Sequence, residues 1–472
     1  MSSGSQKSTL REGKKQESKI FYFKALLQST GWISPAFVSV DNRGVVREIA
    51  AAPSAGHSAV EVVNGFAVPG FQNAHSHAFQ FAMAGMAEKH QPNAVDDFWT
   101  WREAMYACAL TLDPDQMQAV ATMLYAEMLK RGYTHVAEFQ YLHHDKNGSP
   151  YENAAEMSVS LIAAAAIAGI KITLVPVFYK QGGFGKKAEA SQRRFCFDDV
   201  DQYLRLLDDC SNVLKDVTTS RLGFGAHSLR AAATDDIARI VSGGPGHFPF
   251  HIHAAEQLKE VNEALAFLKQ RPVEWLLNNL EVDERFHLIH CTHLTDDEVV
   301  RLAQSKANVV LCPGTEANLG DGIFRLTDFA QHSSHWSIGT DSHISLNPLE
   351  DLRWLDYTQR LTSHKRNTFA DGASLLMQNT FLSGKRAMGL SASDFFETGK
   401  PFDAVVYSAD SPLLGAAGLE HLLPTLLYTA DGSAISGTIV DGDWIVKDHH
   451  HKHEAEIMKD FRRTLKNLSR GK

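Results

Sequence analysis

The sequence predicts an α/β fold: a (β/α)8 TIM-like barrel with a small β-sandwich domain formed by both termini. Three observations predict it. Short apolar runs recur along the chain and end near His75, Glu138, Val177, His227, His253, His290, Leu311 and Asp341. Amphipathic segments separate them, among them Pro114 to Arg131, Asp198 to Leu214, Gln257 to Leu268 and Asp296 to Gln304. Strands alternating with helical patterns make a parallel sheet, and eight such strands allow it to close into a barrel. The two ends of the chain break that rhythm and carry short strand patterns with turn residues instead.

Taken in order, residues 1–19 are rich in Ser, Lys, Glu, Gln and Gly and are expected as a disordered lead. Ile20 to Leu26, Ala36 to Val40 and Val45 to Ile49 read as short strands, with the turn Asp41-Asn42-Arg43-Gly44 between two of them. Near the other terminus, Asp403 to Tyr407 and Gly437 to Val446 look similar, the latter folding back at Asp441-Gly442. Residues 20–65 and 400–450 are therefore expected to form the composite β-domain, and residues 66–399 the barrel. The apolar run Phe66 to Gly70 reads as the barrel strand leading to His75. Gly132, just past Lys130-Arg131, stops the helix that begins at Pro114. Val159 to Ile170 is apolar but too short to span a bilayer, and reads as a buried helix feeding the strand Ile172 to Val177. Residues 451–472, with the run His449 to His453 before and into them, are expected as a solvated C-terminal tail.

Charge and cysteine usage exclude some classes of partner. A formal net charge of −9 and a pI near 6.2 speak against nucleic acid. No secretory signal or membrane-spanning stretch is visible, so a cytoplasmic chain without a membrane partner is expected. Cys108, Cys196, Cys210, Cys291 and Cys312 are scattered with no C-x-x-C pair, which fits packed thiols in a reducing compartment.

The chemistry-bearing residues sit where a barrel places its active site. His75-Ser76-His77, His253 with Glu256, His290 and Asp341 each fall at or just past a predicted strand end. Catalytic groups of such barrels come from the carboxyl ends of several strands. Imidazole nitrogens with a carboxylate suit a divalent metal such as zinc, with a position left open for water.

The segment Pro69-Gly70-Phe71-Gln72-Asn73-Ala74-His75-Ser76-His77-Ala78-Phe79-Gln80 resembles the first metal motif of the amidohydrolase superfamily. A wider set of segments is similar to its formimidoylglutamate deiminase family: Phe98-Trp99-Thr100-Trp101-Arg102-Glu103, Ala137-Glu138-Phe139-Gln140-Tyr141, His227-Ser228-Leu229-Arg230, Thr315 to Gly322 and Asp341-Ser342-His343. The likeness runs from about residue 20 to about residue 450. It departs at Gln140, where the family pattern implies histidine, and at Phe81, where it implies arginine.

The resemblance implies a zinc enzyme of histidine degradation, a homodimer, that hydrolyses N-formimino-L-glutamate to N-formyl-L-glutamate and ammonia. It implies His75, His77, His253 and Asp341 as ligands of one divalent ion. The fourth strand ends without the lysine that bridges two metals elsewhere in the superfamily; Lys180 is the nearest substitute. Zinc acidifies bound water to a pKa of roughly 7, supplying hydroxide. Asp341 is then expected to take the water's proton, His290 to hydrogen-bond the attacking oxygen, and Glu256 to carry a proton to the substrate nitrogen. Gln80, Arg102, Tyr141, His227 and Arg230 are expected to bind a small anionic dicarboxylate, the arginines gripping its carboxylates. Glu316 and Asp321 orient these groups or the substrate amine, and the sequence does not choose between them. Another deaminase of the superfamily, acting on a purine, pyrimidine or guanidino compound, would share the metal residues, and a non-catalytic scaffold remains a third reading.

Overall fold

A computed structural model describes residues 19–53, 60–88 and 98–470. Eight parallel strands follow one another around the barrel: β1 (Phe71–Ser76), β2 (Tyr133–Gln140), β3 (Lys171–Phe178), β4 (Phe224–Ser228), β5 (Phe250–Ala254), β6 (Phe286–His290), β7 (Asn308–Leu311) and β8 (His335–Ile338). Their order in the sheet is their order in the chain, as successive right-handed β-α-β crossovers require. Helices cover the outside. The one at Pro114–Lys130 starts where Asp113 and Gln116 cap each other and proline supplies the first turn. It buries Met117, Val120, Leu124 and Met128 against the strands, a spacing of three to four residues that keeps one face apolar.

The barrel closes through backbone contacts that also carry the site. Ser76 and Asp341 form a parallel bridge across the seam between β1 and the end of β8. The Asp341 N–H donates to His75 O at 3.0 Å, and the His77 N–H donates to Asp341 O at 3.2 Å. Gly339 permits this approach, since a Cβ there would lie 2.7 Å from His75 Cβ and 2.8 Å from His75 N.

Both termini build one nine-stranded sheet. Lys19–Gln28 pairs in parallel with Val60–Pro69 and antiparallel with Ala36–Val40; Ala404–Ser408, Ile435–Val440, Asp443–Lys447 and His450–His451 continue the sheet from Val60–Pro69 outward. The run Phe66 to Pro69, expected to lead the first barrel strand, belongs to this sheet, with Val68 opposite Val405. Gly70 separates the two roles, where any side chain would strike Thr134. Lys171 at the start of β3 ties sheet to barrel, with its ammonium 2.6 Å from Asp403 and 2.7 Å from Asp441.

The stretch expected as a solvated tail is folded. His451 is buried, pairs with Val446 and lies with Nε2 2.7 Å from Ala168 O. Glu454–Arg470 is a helix against Pro114–Lys130, with Lys130 Nζ 2.6 Å from Glu454 and Phe461 stacked on Phe81 at 5.7 Å. Ile457, Phe461, Leu465 and Leu468 recur every three to four residues, a helical stripe that the charged flanks obscure. No helix among the described residues is long and apolar enough to cross a membrane.

Gly339→Ala is expected to force His75 and the seam apart and to cost about 1–3 kcal/mol, the range for overpacking a close-fitted site. A denaturant midpoint unchanged from the native chain would contradict this account of closure.

Candidate metal centre and active site

His75, His77, His253 and Asp341 converge from β1, β5 and the end of β8, each buried, with one ligand-capable atom apiece all within 4.8 Å of one another. Ring orientation is set from behind. Nδ1 of His77 lies 3.0 Å from Phe139 O, and Nδ1 of His253 lies 2.9 Å from His227 O. A carbonyl only accepts, so both rings carry the proton on Nδ1 and present a bare Nε2 lone pair to the centre.

Those lone pairs face one another and Asp341. His253 Nε2 is 3.1 Å from His75 Nε2, while Asp341 Oδ1 is 3.4 Å from His75 Nε2 and 3.2 Å from His77 Nε2. Ligands on roughly 2.0–2.1 Å bonds at tetrahedral corners stand about 3.3 Å apart, so the spacing fits a small divalent cation. Burial, reinforced by the neighbouring His77, holds the His75 pKa down to about 3. The imidazole is thus neutral, the form a metal requires. The backbone is strained at the same place: Asp341, Ala255, His290 and Cys291 have φ of 48°, 53°, 71° and 51°. Non-glycine residues at such angles cost about 1–3 kcal/mol each and gather at functional sites.

Acid–base groups flank the cluster. His290 Nε2 is 3.7 Å from Glu256 Oε1 and 4.0 Å from Asp341 Oδ2, and its Nδ1 is 3.2 Å from Glu316 Oε1. Burial opposes its charge, but Glu256, Glu316 and Asp341 together overcome that and lift its pKa to about 10. Glu316 is anchored in turn by the Cys312 N–H at 2.9 Å. Glu256 Oε2 accepts from Arg230 at 2.9 Å, and the Glu256 N–H donates to Glu260 at 3.0 Å. Asp321 accepts from Gln257, next to Glu256; burial first, then the charge of Glu256, pushes its pKa up to about 9.

A cavity of about 270 Å³ opens above the cluster, and every substrate-binding residue expected from the sequence lines it: Gln80, Arg102, Tyr141, His227 and Arg230. Gln80 donates to the Tyr141 hydroxyl at 3.1 Å. The Arg102 guanidinium lies 4.5 Å from the Trp99 ring and 5.2 Å from Tyr106, and that of Arg230 lies 5.5 Å from Phe98. Helix Phe98–Ala109 thus forms one wall. The two departures from the family pattern face elsewhere. Phe81 turns to Phe461, and Gln140 folds back onto Leu142 O at 2.5 Å. Lys180 pairs with Asp236 at 3.4 Å and takes no part in the cluster.

Sequence reasoning overlooked Lys259 and Tyr179, which also line the cavity, and the contacts of Glu138 behind it. Lys259, in the first turn of the helix after β5, sets its ammonium 4.0 Å from the Trp99 ring, a contact between segments that no local spacing reveals. Tyr179 directly follows β3, at a position no motif marks.

Residues 66–445 match the amidohydrolase family, which defines the class of protein. Over 457 residues the chain is 41% identical to the formimidoylglutamate deiminase of Pseudomonas aeruginosa, an alignment covering 96% of this chain and 99% of that one. The chain belongs to the formimidoylglutamate deiminase family of the amidohydrolase superfamily. A crystal structure of an amidohydrolase from Brucella melitensis superposes with a TM-score of 0.88 at 37% identity, over 95% of this chain and 99% of that one. The fold is shared more widely, for example with a zinc-bound adenosine deaminase from Xanthomonas campestris at a TM-score of 0.79 and 20% identity, over 96% and 98% of the two chains. Family membership and the His/Asp cluster together make this a divalent-metal hydrolase acting on carbon–nitrogen bonds.

Elemental analysis is expected to find about one divalent ion per chain, and His253→Ala or His77→Ala to abolish retention of it. Two equivalents in the active protein would overturn a single-ion centre.

Proposed function

We propose that the chain hydrolyses N-formimino-L-glutamate to N-formyl-L-glutamate and ammonia, with zinc held by His75, His77, His253 and Asp341. The observation that carries this activity is the 41% identity to a formimidoylglutamate deiminase along the full length of both chains. Two features of the site support it. The donor set, three imidazoles and a carboxylate at near-tetrahedral spacing, favours zinc, and the adenosine deaminase of the same fold holds zinc. The cavity wall carries Arg102, Arg230 and Lys259, cations that a dicarboxylate substrate calls for and a neutral purine does not.

Zinc, when bound, supplies the Lewis acidity that makes water a nucleophile at neutral pH. Asp341 Oδ1 faces His75 and His77, while Oδ2 faces His290, so Oδ2 is free to accept the proton that water loses. Water's oxygen adds to the formimino carbon while Glu256, entering as the acid, gives its proton to the imino nitrogen. Asp341 then passes the proton it took from water to the same nitrogen, and the hydroxyl proton of the tetrahedral intermediate returns to Glu256. The carbon–nitrogen bond then breaks, ammonia leaves with the transferred protons, and the formyl carbonyl remains. His290, fixed by Glu316 and held cationic, donates from Nε2 toward the oxygen that becomes negative. Arg230 holds Glu256 Oε2 and leaves Oε1 facing His290, which orients the proton carrier. Arg102, stacked between Trp99 and Tyr106, presents its guanidinium edge for bidentate capture of a carboxylate.

Glu256→Gln is expected to keep its metal and to lose about 10²–10⁴-fold in turnover, the contribution of positioned proton transfer. Near-native activity in that variant would assign proton transfer elsewhere. Arg230→Met removes both a substrate cation and the partner of Glu256, and truncating a buried charge pair costs about 2–5 kcal/mol. Its kcat/KM should fall at least about thirtyfold with metal content unchanged. Ammonia release measured across a substrate panel tests the substrate itself: faster turnover of a neutral nucleoside than of formiminoglutamate would overturn it while leaving the family intact.

A further inference from the structure

Glu138, on β2, lies behind the metal ligands and has no part in the chemistry above. It is 1% exposed, so its carboxylate has no bulk water to solvate it. Its two oxygens are instead saturated by donors from around His77. The Ala78 N–H donates to Oε1 at 2.6 Å; Ser76 Oγ and the Tyr125 hydroxyl donate to Oε2 at 2.6 and 3.1 Å. Two of these donors flank His77 in sequence. The next residue on β2, Phe139, accepts from the His77 ring. Two consecutive β2 residues therefore grip His77 by its chain on both sides and by its imidazole.

The grip extends across the seam to the other half of the ligand set. Ser76 Oγ also lies 3.4 Å from His343 Nε2, and His343 Nδ1 lies 2.9 Å from Thr340 Oγ1. Asn73 holds Thr340 twice, donating to Oγ1 at 2.7 Å and accepting from the Thr340 N–H at 2.9 Å. Thr340 immediately precedes Asp341. Among the described residues no lysine or arginine forms an ion pair with Glu138, although a buried carboxylate without compensation is costly. Resting on the ligand assignment above, the geometry points to Glu138 as a positioning residue of the metal centre: by accepting from Ser76 and Ala78 it fixes the His75-Ser76-His77 strand end and with it the place of His77. Partners of metal-binding histidines typically contribute 10–100-fold in metal affinity.

The test is zinc affinity of the full chain, measured by competition with a chromogenic chelator on metal-stripped protein. Glu138→Gln keeps the shape but replaces one acceptor oxygen with a donor among groups that donate to it, and should bind zinc about 10–100-fold more weakly while the metal-free form unfolds at a near-native temperature. Ser76→Ala deletes one donor without stranding a charge; it should weaken zinc binding severalfold, and it decides the matter if Glu138→Gln does not fold. With saturating zinc, kcat should recover more fully than in any ligand variant, a recovery that general misfolding would not allow. Native zinc affinity in folded Glu138→Gln, or in Ser76→Ala where that variant must decide, overturns the proposal. Failure of the unaltered chain to bind zinc would instead overturn the ligand assignment on which it rests.

Discussion

The hydrogen-bonded seam between β1 and the end of β8 does two things at once. It removes the open edge of the parallel sheet, whose unpaired N–H and C=O groups would otherwise need cover. It also brings His75 and His77 within 3.4 and 3.2 Å of Asp341, because the residues that exchange backbone hydrogen bonds are themselves the proposed ligands. Closing the barrel and assembling the centre are one event. Left-handed backbone at Asp341 follows from it, since the chain turns away immediately after its carbonyl accepts from the His77 N–H. Close packing of the surrounding core meets that cost elsewhere.

Electrostatics explain why such a cluster accepts a cation. Asp341, Glu256, Glu316, Glu260 and Asp321 are all buried around the site, while Arg230 and His290 are the positive side chains among them. Carboxylates so crowded in a poorly polarisable interior repel one another, and protons or cations must offset part of the charge. The structure distributes the burden unevenly: Asp321 holds its proton, with a pKa near 9, whereas Asp341 stays ionised despite its burial. A divalent ion held by the proposed ligands would offset what remains, so metal binding and the ionised state of Asp341 would support each other.

Strand ends were legible in the sequence because the chemistry marks them. A barrel strand too short to show strong periodicity still ends in His253 or His290, and those positions matched the structure to within about a residue. Helices such as Asp296–Gln304, with clear caps and one apolar face, were equally readable. What escaped was information that exists only between distant segments. Phe66 to Pro69 reads as a barrel strand by composition, and only pairing with Val405 and Leu26 assigns it to the terminal sheet. The C-terminal helix hides its apolar stripe among charges and adjoins a histidine run that looks solvated. Lys259 and Glu138 are unremarkable by residue type; their contacts with Trp99, Ser76 and Ala78 give them meaning.

That C-terminal helix also accounts for one departure from the family pattern. The short 3-10 helix Ala78–Met83 follows His77 and has two working faces. Gln80 points into the cavity and holds Tyr141, while Phe81 points outward and stacks on Phe461. An arginine at residue 81 would give up the ring-on-ring contact with Phe461 beside Met123 and Ile457. Phenylalanine instead makes the outward face apolar and lets the terminal helix press the segment into place. The cavity wall at Gln80 is thereby braced from behind by residues nearly four hundred positions away, and the change at residue 81 alters the support of the cavity rather than its lining.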